Sequence, residues 1–308
     1  MQFHRRQLLG GIAATAGLVS TAGPRATATM LSAAEIPSVF GVVNRVVAKY
    51  EDTLLDLAYQ NGLGYVETVA ANPGVDPWLP GEGTEILLPQ RHVLPRGPRE
   101  GILVNLSEMR LYYFPPDGGA IRTYAVGIGR EGLTTPTGST RIVRKAKNPT
   151  WYPTENARAD DPDLPRAVGP GPDNPLGTRA LYFDWPLYLI HGTNNIWGIG
   201  RRISRGCIRM YPHDVEALFE HVPVGTPVTV VDQPIKFAWQ DGALFVQAHP
   251  SQSQVAQIEQ KGTFEADDKP DISRLLGQAM EGKILPLRWS AMERAVAERR
   301  GIPVQISV

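Results

Sequence analysis

The chain contains one cysteine, and the residues near it are of the types that activate a thiol. Cys207 lies in the segment SRGCIR, and His191 lies 16 positions upstream, since 207 − 191 = 16. A free thiol has a pKa of about 8.5, so it becomes a good nucleophile when an imidazole accepts its proton or when positive charge stabilises the anion. The pair therefore predicts covalent catalysis, with Cys207 as nucleophile and His191 as general base.

The neighbours of Cys207 favour the same interpretation. Four arginines lie within nine positions of one another around the thiol: Arg201, Arg202, Arg205 and Arg209. Gly206 allows the backbone to turn sharply, and its amide together with that of Cys207 predicts an oxyanion hole. His191 follows the apolar strand predicted over Leu187–Ile190, which is a rigid place for a base. The alternative, a buried cysteine that acts as a small hydrophobe, fits these polar neighbours poorly.

The N-terminal sequence predicts export. Residues 4–6 are basic, residues 8–19 form a short apolar run, and Ala26-Thr27-Ala28 offers a cleavage site, so residues 1–28 read as a signal peptide. Arg5-Arg6 suggests the twin-arginine route. A disordered tail is the alternative. The apolar run is shorter than the roughly 20 residues that a membrane-spanning helix needs, so we expect no transmembrane span after cleavage.

Composition excludes several other classes of protein. The 308 residues are 42% hydrophobic and have a formal net charge of zero, which disfavours a nucleic-acid-binding protein. A single cysteine cannot form an intrachain disulfide. There are no paired cysteines and no His-x-x-x-His motif, so we predict no metal and no cofactor. We expect His213 and His221 to be surface or capping residues.

The middle of the chain predicts a mainly β domain over residues 99–232. Short β-branched stretches separated by Gly/Pro turns are typical of a sandwich or barrel, and Val215–His221 is predicted as one helix, with Asp214 as its cap. Residues 148–177 contain seven prolines and three glycines with no periodicity, which indicates a long lid or binding loop. The strands are predicted over 102–106, 110–114, 121–126, 140–144, 180–183, 187–190 and 228–231.

Smaller units are predicted on either side of this domain. Residues 40–90 predict a βααβ module, with one strand over 40–48, a helix from Thr53 capped by Asp52, a helix over 65–71 and a strand over 86–88. Residues 92–99 are interpreted as a linker, with His92 unpaired. Residues 233–308 predict a small α+β appendage with a hairpin at Asp241-Gly242, helices near 271–281 and 289–299, and an unpaired His249.

Two stretches resemble known families. The segments EDTLLDLA, NPGVDPWLPGEG and ILLP make the N-terminal module similar to a LysM domain, which implies binding to the glycan of the cell wall. Glu51 departs from the pattern, because a glycine commonly stands there. The segments HGTN, GIG and SRGCIRMYP, together with VGIGREGLTTPTG, NPTW, GPDNPLG and VPVGTPVTVV, resemble the YkuD-type catalytic domain of the L,D-transpeptidases, of the ErfK/YbiS type.

The second resemblance implies a fold, a reaction and a compartment. It implies a YkuD-like β-sandwich with one short helix and a lid loop, in a periplasmic enzyme of Gram-negative bacteria that shapes the wall. Cys207 would attack the diaminopimelate carbonyl of a tetrapeptide stem and release D-alanine. An amine would then accept the acyl group: a second stem, giving a 3–3 cross-link, a lysine of an outer-membrane lipoprotein, or a free D-amino acid.

The resemblance also assigns roles to single residues. The Gly192 carbonyl would orient the base, and Ser204, Arg205 and Arg209 would contact substrate, whose stem peptide carries several carboxylates. Most members have histidine at the position of Arg205, so its proton-transfer role is absent here. Two alternatives remain open on sequence: a cysteine hydrolase of the same wall linkages, and a non-catalytic wall-binding protein.

Overall fold

The computed structural model describes residues 37–266 and 271–308. The predicted signal peptide lies outside these residues. None of the helices in the described ranges combines the length and apolar character that a membrane span requires.

The N-terminal part of the described chain contains the four elements predicted for it. β2 (Asn44–Val47) pairs with β3 (Glu85–Leu88), and α1 (Leu54–Gln60) and α2 (Tyr65–Ala71) lie between them in sequence. The predicted single strand over 40–48 is wrong, because β1 (Val39–Gly41) is separate and pairs with β4 (Arg91–Val93). Gly41 ends β1 with φ at +79°, and a Cβ there would lie 2.1 Å from the Gln90 carbonyl oxygen.

The cap of α1 is one residue later than predicted. Thr53 Oγ1 accepts a hydrogen bond from the Asp56 amide at 3.1 Å, and the Asp56 carboxylate accepts from the Thr53 amide at 3.2 Å. This reciprocal arrangement satisfies two amides that the first helical turn leaves unpaired. Asp52, the predicted cap, accepts instead from the Lys49 amide at 2.8 Å.

One continuous sheet forms the centre of the molecule and confirms the mainly β prediction. Its strands follow the order β11-β7-β12-β10-β9-β8-β13-β5-β6, and β6 also pairs with β7, so that the sheet closes on itself. Closure leaves few exposed edges. The strands are β5 (Gly101–Asn105), β6 (Arg110–Phe114), β7 (Arg122–Gly129), β8 (Gly138–Lys147), β9 (Arg179–Phe183), β10 (Leu189–His191), β11 (Arg202–Ser204), β12 (Ile208–Met210) and β13 (Pro227–Val231).

Two elements around this sheet differ from the sequence-based expectation. The long segment over 148–177 contains a short helix, α3 (Glu155–Asp160), which was not predicted because the segment is rich in proline and acidic residues. The predicted helix at 215 begins earlier, as α4 (Pro212–His221), with Tyr211 as its N-cap. Pro212 occupies the first helical turn, where no hydrogen-bond partner is lost because amides there have no acceptor within the helix. Asp214 therefore lies inside the helix and does not cap it.

The C-terminal region forms a small α+β unit, as predicted, with one additional helix. β14 (Ile235–Gln240) and β15 (Ala243–Ala248) form the expected hairpin, and α6 (Ser273–Met280) and α7 (Trp289–Glu298) match the predicted helices. α5 (Gln252–Lys261) was missed, and β16 (Val304–Gln305) adds a third strand. Ser251 caps α5 by accepting from the Gln254 amide at 3.2 Å.

A buried charge cluster joins the three parts of the chain. The Glu108 side chain is 1% exposed and lies 2.5 Å from Lys236 Nζ and 3.3 Å from His249 Nε2. Lys236 Nζ also donates to the Val93 carbonyl at 2.6 Å, at the segment predicted as a linker. His249 therefore has a charged neighbour, contrary to prediction, because the C-terminal hairpin brings it to Glu108.

Candidate active site

His191 ends one of two short neighbouring strands, and Cys207 lies just before the other. β10 and β12 are parallel, with Ile190 opposite Ile208 and His191 opposite Arg209. Cys207 immediately precedes β12, and it shares a face with Arg209 because side chains two residues apart point the same way. The strand spacing and a two-residue offset place the Cα atoms of Cys207 and His191 about 8 Å apart on one face, within reach of an imidazole. β12 was not predicted, because only three residues form it.

The backbone fixes the His191 ring. Its Nδ1 lies 2.6 Å from the Gly192 carbonyl oxygen, which can only accept, so Nδ1 carries the hydrogen. In the neutral ring the free lone pair is then on Nε2. Burial, with the Arg209 charge as a second cause, lowers the pKa of His191 to about 3, although the Gly192 and Pro175 carbonyls oppose this shift. The resting imidazole is therefore neutral and able to accept a proton.

The thiol is also neutral at rest. Burial raises the pKa of Cys207 to about 11, while the Leu189 backbone and the Arg209 charge act in the opposite direction. Its Sγ donates to the Leu187 carbonyl at 3.4 Å. Leu187 adopts a left-handed conformation, with φ at +72°, and its side chain is exposed. The site thus holds a neutral thiol and a neutral imidazole, and proton transfer must accompany attack.

Ser204 holds the turn that carries the cysteine. Its hydroxyl donates to the Cys207 carbonyl at 2.6 Å and accepts from the Gly206 amide at 3.1 Å. The side chain is buried, so the structure gives it an internal hydrogen-bonding role that the sequence did not reveal. The Gly206 amide is engaged in this bond, and its predicted part in an oxyanion hole requires that bond to break.

Gly206 itself is required by the backbone. Its φ is +104°, and a Cβ there would lie 2.7 Å from Tyr188 Cε1. Its carbonyl accepts from Thr135 Oγ1 at 2.8 Å, and the same hydroxyl accepts from the Gly129 amide at 3.1 Å. The turn is therefore fastened to β7 as well as to Ser204, which sets the position of the thiol.

Three of the four arginines near the thiol lie in different surroundings, so they do not act as one positive group. Arg201 pairs with Glu259 at 2.5 Å, and Arg205 pairs with Asp160 at 2.6 Å. Arg209 is the arginine whose charge acts on both Cys207 and His191. It has no carboxylate partner in the described part of the chain, and its Nε is buried without a hydrogen bond.

Arg201 is held between the N-terminal and C-terminal units. Its guanidinium lies 3.7 Å from the centre of the Tyr65 ring and pairs with Glu259 of α5. The first amides of α2 donate to the chain just before Arg201: Tyr65 to the Ile199 carbonyl and Val66 to that of Gly200, both at 3.2 Å. Both flanking units therefore touch the segment that leads into the catalytic turn.

The loop over 148–177 reaches the site through its last residues. Asn174 is fully buried and donates to the carbonyls of Pro149 at 2.7 Å and Gly169 at 2.9 Å. A Cβ on Gly177 would lie 2.7 Å from the Thr193 amide nitrogen, so the loop ends directly against the residues after His191.

Histidines other than His191 take no part in this site. His213 is exposed and stacks on Tyr211, as its predicted surface position allows, whereas His92 is buried in β4. Among the residues that the structure describes, no three His, Cys, Asp or Glu side chains are grouped so as to bind a metal ion.

Comparisons with known proteins agree with the geometry. The profile of the YkuD L,D-transpeptidase catalytic domain matches residues 99–230. The chain is 40% identical to the probable L,D-transpeptidase ErfK/SrfK of Escherichia coli over 258 residues, which cover 81% of each protein. It is 39% identical to the probable L,D-transpeptidase YbiS of the same organism over 256 residues, again 81% of each.

Among solved structures, the L,D-transpeptidase of Enterococcus faecium is 23% identical, with a TM-score of 0.33 over 42% of this chain and 49% of that one. The curated relatives span most of the described chain, including parts of both flanking units. The chain therefore belongs to the L,D-transpeptidase family, whose members are cysteine acyltransferases.

Proposed function

We propose that Cys207 forms an acyl-enzyme with the diaminopimelate carbonyl of a tetrapeptide stem and passes it to an amine. Sγ attacks the carbonyl carbon, and the thiol proton moves to Nε2 of His191. The imidazolium then protonates the leaving nitrogen, and D-alanine departs. An incoming amine attacks the thioester, gives its proton to His191 and regenerates the thiol.

The observation that carries this proposal is the parallel pairing of β10 with β12. It sets Arg209, two residues after Cys207, opposite His191 on rigid strands, which supports a short path between the thiol and the imidazole. The His191 Nδ1–H bond to Gly192 leaves Nε2 as the acceptor, which is the tautomer that a general base needs. Burial raises the pKa of the thiol and lowers that of the imidazole, so the proton would leave the sulfur only as the carbonyl is attacked.

The position of Arg209 supports the proposal that the substrate carries several carboxylates. It is a half-buried guanidinium beside the thiol, with no acidic partner among the described residues. A carboxylate of the stem peptide would pair with it and would offset the burial of its charge. Ser204, by contrast, would act on substrate through the turn that it holds.

The acceptor, the compartment and the N-terminal module belong to the same proposal. The acceptor would be the amine of a second stem, a lysine of an outer-membrane lipoprotein or a free D-amino acid. The enzyme would work in the periplasm after export. The βααβ module would bind the glycan as a LysM domain does, and its exposed Tyr50, Trp78 and Leu79 offer apolar surface for a sugar face.

A muropeptide digest tests the proposal. Purified tetrapeptide muropeptides are incubated with the protein and with Cys207→Ala, and free D-alanine and the products are measured. We expect D-alanine and 3–3 dimers from the wild type, or lipoprotein-linked stems when the lipoprotein is added, and none of these from Cys207→Ala. Monomers alone would indicate a hydrolase. Equal binding to sacculi by both proteins, with no D-alanine from either, would indicate a wall-binding protein.

A further inference from the structure

Two arginines beside the catalytic turn converge on one carboxylate oxygen. Arg205 Nη2 lies 2.6 Å from Asp160 Oδ2, and Arg130 Nη2 lies 3.4 Å from the same oxygen. Asp160 is the last residue of α3, within the long loop over 148–177. Guanidinium groups suit the recognition of carboxylates, because their N–H donors match the geometry of that group.

Both arginines are positioned by the catalytic turn and not by Asp160. The Arg130 amide donates to the Ser204 carbonyl at 2.9 Å, and Arg205 is the residue after Ser204. Arg205 also lies two residues before Cys207, so their Cα atoms are at most about 7 Å apart. The backbones of both arginines therefore stay beside the Cys207 turn whether or not Asp160 is present.

Asp160 is held weakly in this position. The side chains of Asp160, Arg130 and Arg205 are 53%, 47% and 34% exposed, and ion pairs at such exposure contribute little to stability. As the last residue of α3, the carboxylate also lies at the helix end that carries partial negative charge, which disfavours an anion.

The loop does not need this ion pair to stay in place. Asn174 ties its two ends together through the bonds to Pro149 and Gly169, and its Oδ1 accepts from the Leu176 amide at 2.8 Å. Trp151 and Val168 form a two-way backbone bridge inside the loop, with both bonds at 2.9 Å. The ion pairs of Asp160 are therefore not needed to hold the loop in place, because these other contacts already do so.

We propose that Arg130 and Arg205 form a carboxylate-binding subsite beside the Cys207 turn, that Asp160 occupies it in the resting chain, and that a carboxylate of the acyl donor displaces Asp160. This rests on the proposed function, because it assigns a second anionic contact to the same substrate. Arg209 and this subsite would then recognise two different carboxylates of one stem peptide. Asp160 would select against neutral acyl donors, because these cannot displace it from Arg130 and Arg205.

The test uses two reagents that differ only in a terminal carboxylate: N-iodoacetyl-diglycine and its C-terminal amide. Cys207 is the one cysteine of the chain, so intact-protein mass spectrometry gives the second-order rate constant of its alkylation by each reagent. The ratio of acid to amide rate constants cancels any change in thiolate fraction between variants. The assay needs no D-alanine release, so its result is independent of whether the transpeptidase proposal holds.

We expect Asp160→Asn to raise the acid-to-amide ratio by roughly threefold or more, the size of one exposed charge interaction. Asp163→Asn, which removes an exposed carboxylate three residues along the same loop, is the matched control and should leave the ratio unchanged. Adding Arg205→Gln or Arg130→Gln to Asp160→Asn should remove the gain. The gain should also shrink at 1 M salt.

Three outcomes would overturn the inference. Equal acceleration of both reagents by Asp160→Asn would show that Asp160 only restricts access to the thiol. Unchanged rate constants for both reagents would show that the arginines bind no carboxylate there. A gain that survives the arginine substitutions, or that Asp163→Asn reproduces, would show a general charge effect.

Discussion

Cys207 lies just before β12 and His191 ends the parallel strand β10, where it pairs with Arg209, and burial keeps both the thiol and the imidazole neutral at rest. This arrangement differs from a preformed thiolate–imidazolium pair. Burial outweighs the nearby Arg209 charge at Cys207 and acts together with it at His191, because a buried site penalises any isolated charge. The substrate must therefore arrive before the sulfur becomes strongly nucleophilic.

The first prediction concerns the pH dependence of thiol reactivity. Below a pKa of about 11 the thiolate fraction rises tenfold per pH unit, so the rate of alkylation by iodoacetamide should rise without a plateau between about pH 7 and pH 10. His191→Gln should leave this profile nearly unchanged while it lowers D-alanine release. A plateau near neutral pH that disappears in His191→Gln would show an ion pair instead.

The second prediction concerns the hydroxyl that holds the catalytic turn. Ser204→Ala removes the bonds to the Cys207 carbonyl and the Gly206 amide, and should destabilise the protein by about 1–3 kcal/mol. We expect kcat for D-alanine release to fall more than KM rises, because the thiol position changes while the Arg209 contact remains. Ser139→Ala, at an exposed position of β8, is the control and should alter neither quantity. A normal kcat in Ser204→Ala would mean that the turn keeps its shape without the hydroxyl.

The third prediction concerns the buried cluster at Glu108. Burial alone would raise the pKa of this carboxyl, but the Lys236 charge and the His249 contact outweigh it and hold the pKa well below the usual 4.5. A depressed folded-state pKa contributes stability above the unfolded value, and that stability is lost as the pH falls through the folded value. Glu108→Gln leaves Lys236 buried without its partner and should lower the free energy of unfolding by about 3–5 kcal/mol at pH 7.

Urea unfolding of the wild type and Glu108→Gln from pH 7 down to about pH 3 checks this prediction. The difference between them should be largest at pH 7 and should narrow below about pH 4.5, where the unfolded wild type takes up the proton. Glu85→Gln breaks an exposed pair with Arg45 and should change stability by about 0–1 kcal/mol. Equal effects of the two substitutions would contradict the account.

The fourth prediction concerns the contact between α2 and the segment before the catalytic turn. A Cβ on Gly64 would lie 2.6 Å from the Gly200 Cα, and Gly64 has an ordinary φ, so Gly64→Ala tests packing without backbone strain. We expect a loss of about 1–3 kcal/mol in thermal unfolding and a lower rate of D-alanine release. Gly169→Ala, where a Cβ would meet open space, should be close to neutral. No loss in Gly64→Ala would mean that the N-terminal unit is not tightly docked.

The sequence predicted the chemistry better than the contacts that support it. Cys207 and His191 could be found because their types, spacing and neighbours carry a local signal. The partners of Arg201 and Arg205 could not be found, because Glu259 and Asp160 are 58 and 45 positions away and their pairing depends on the closed sheet. Ser204 looked like a pocket residue, since its burial arises only when the turn folds against β7. The domain boundaries remain predictions, as does glycan binding by the βααβ module.

The most direct test of the account is the detection of a covalent intermediate on Cys207. Tetrapeptide stem whose diaminopimelate side-chain amine is acetylated, so that it cannot act as an acceptor, is mixed with the protein, quenched in acid, and analysed by intact-protein and peptide mass spectrometry. The account predicts a tripeptide acyl adduct on the peptide that contains Cys207, formed together with an equivalent of D-alanine. Release of D-alanine with no adduct on that sulfur, or with an adduct on another residue, would contradict it.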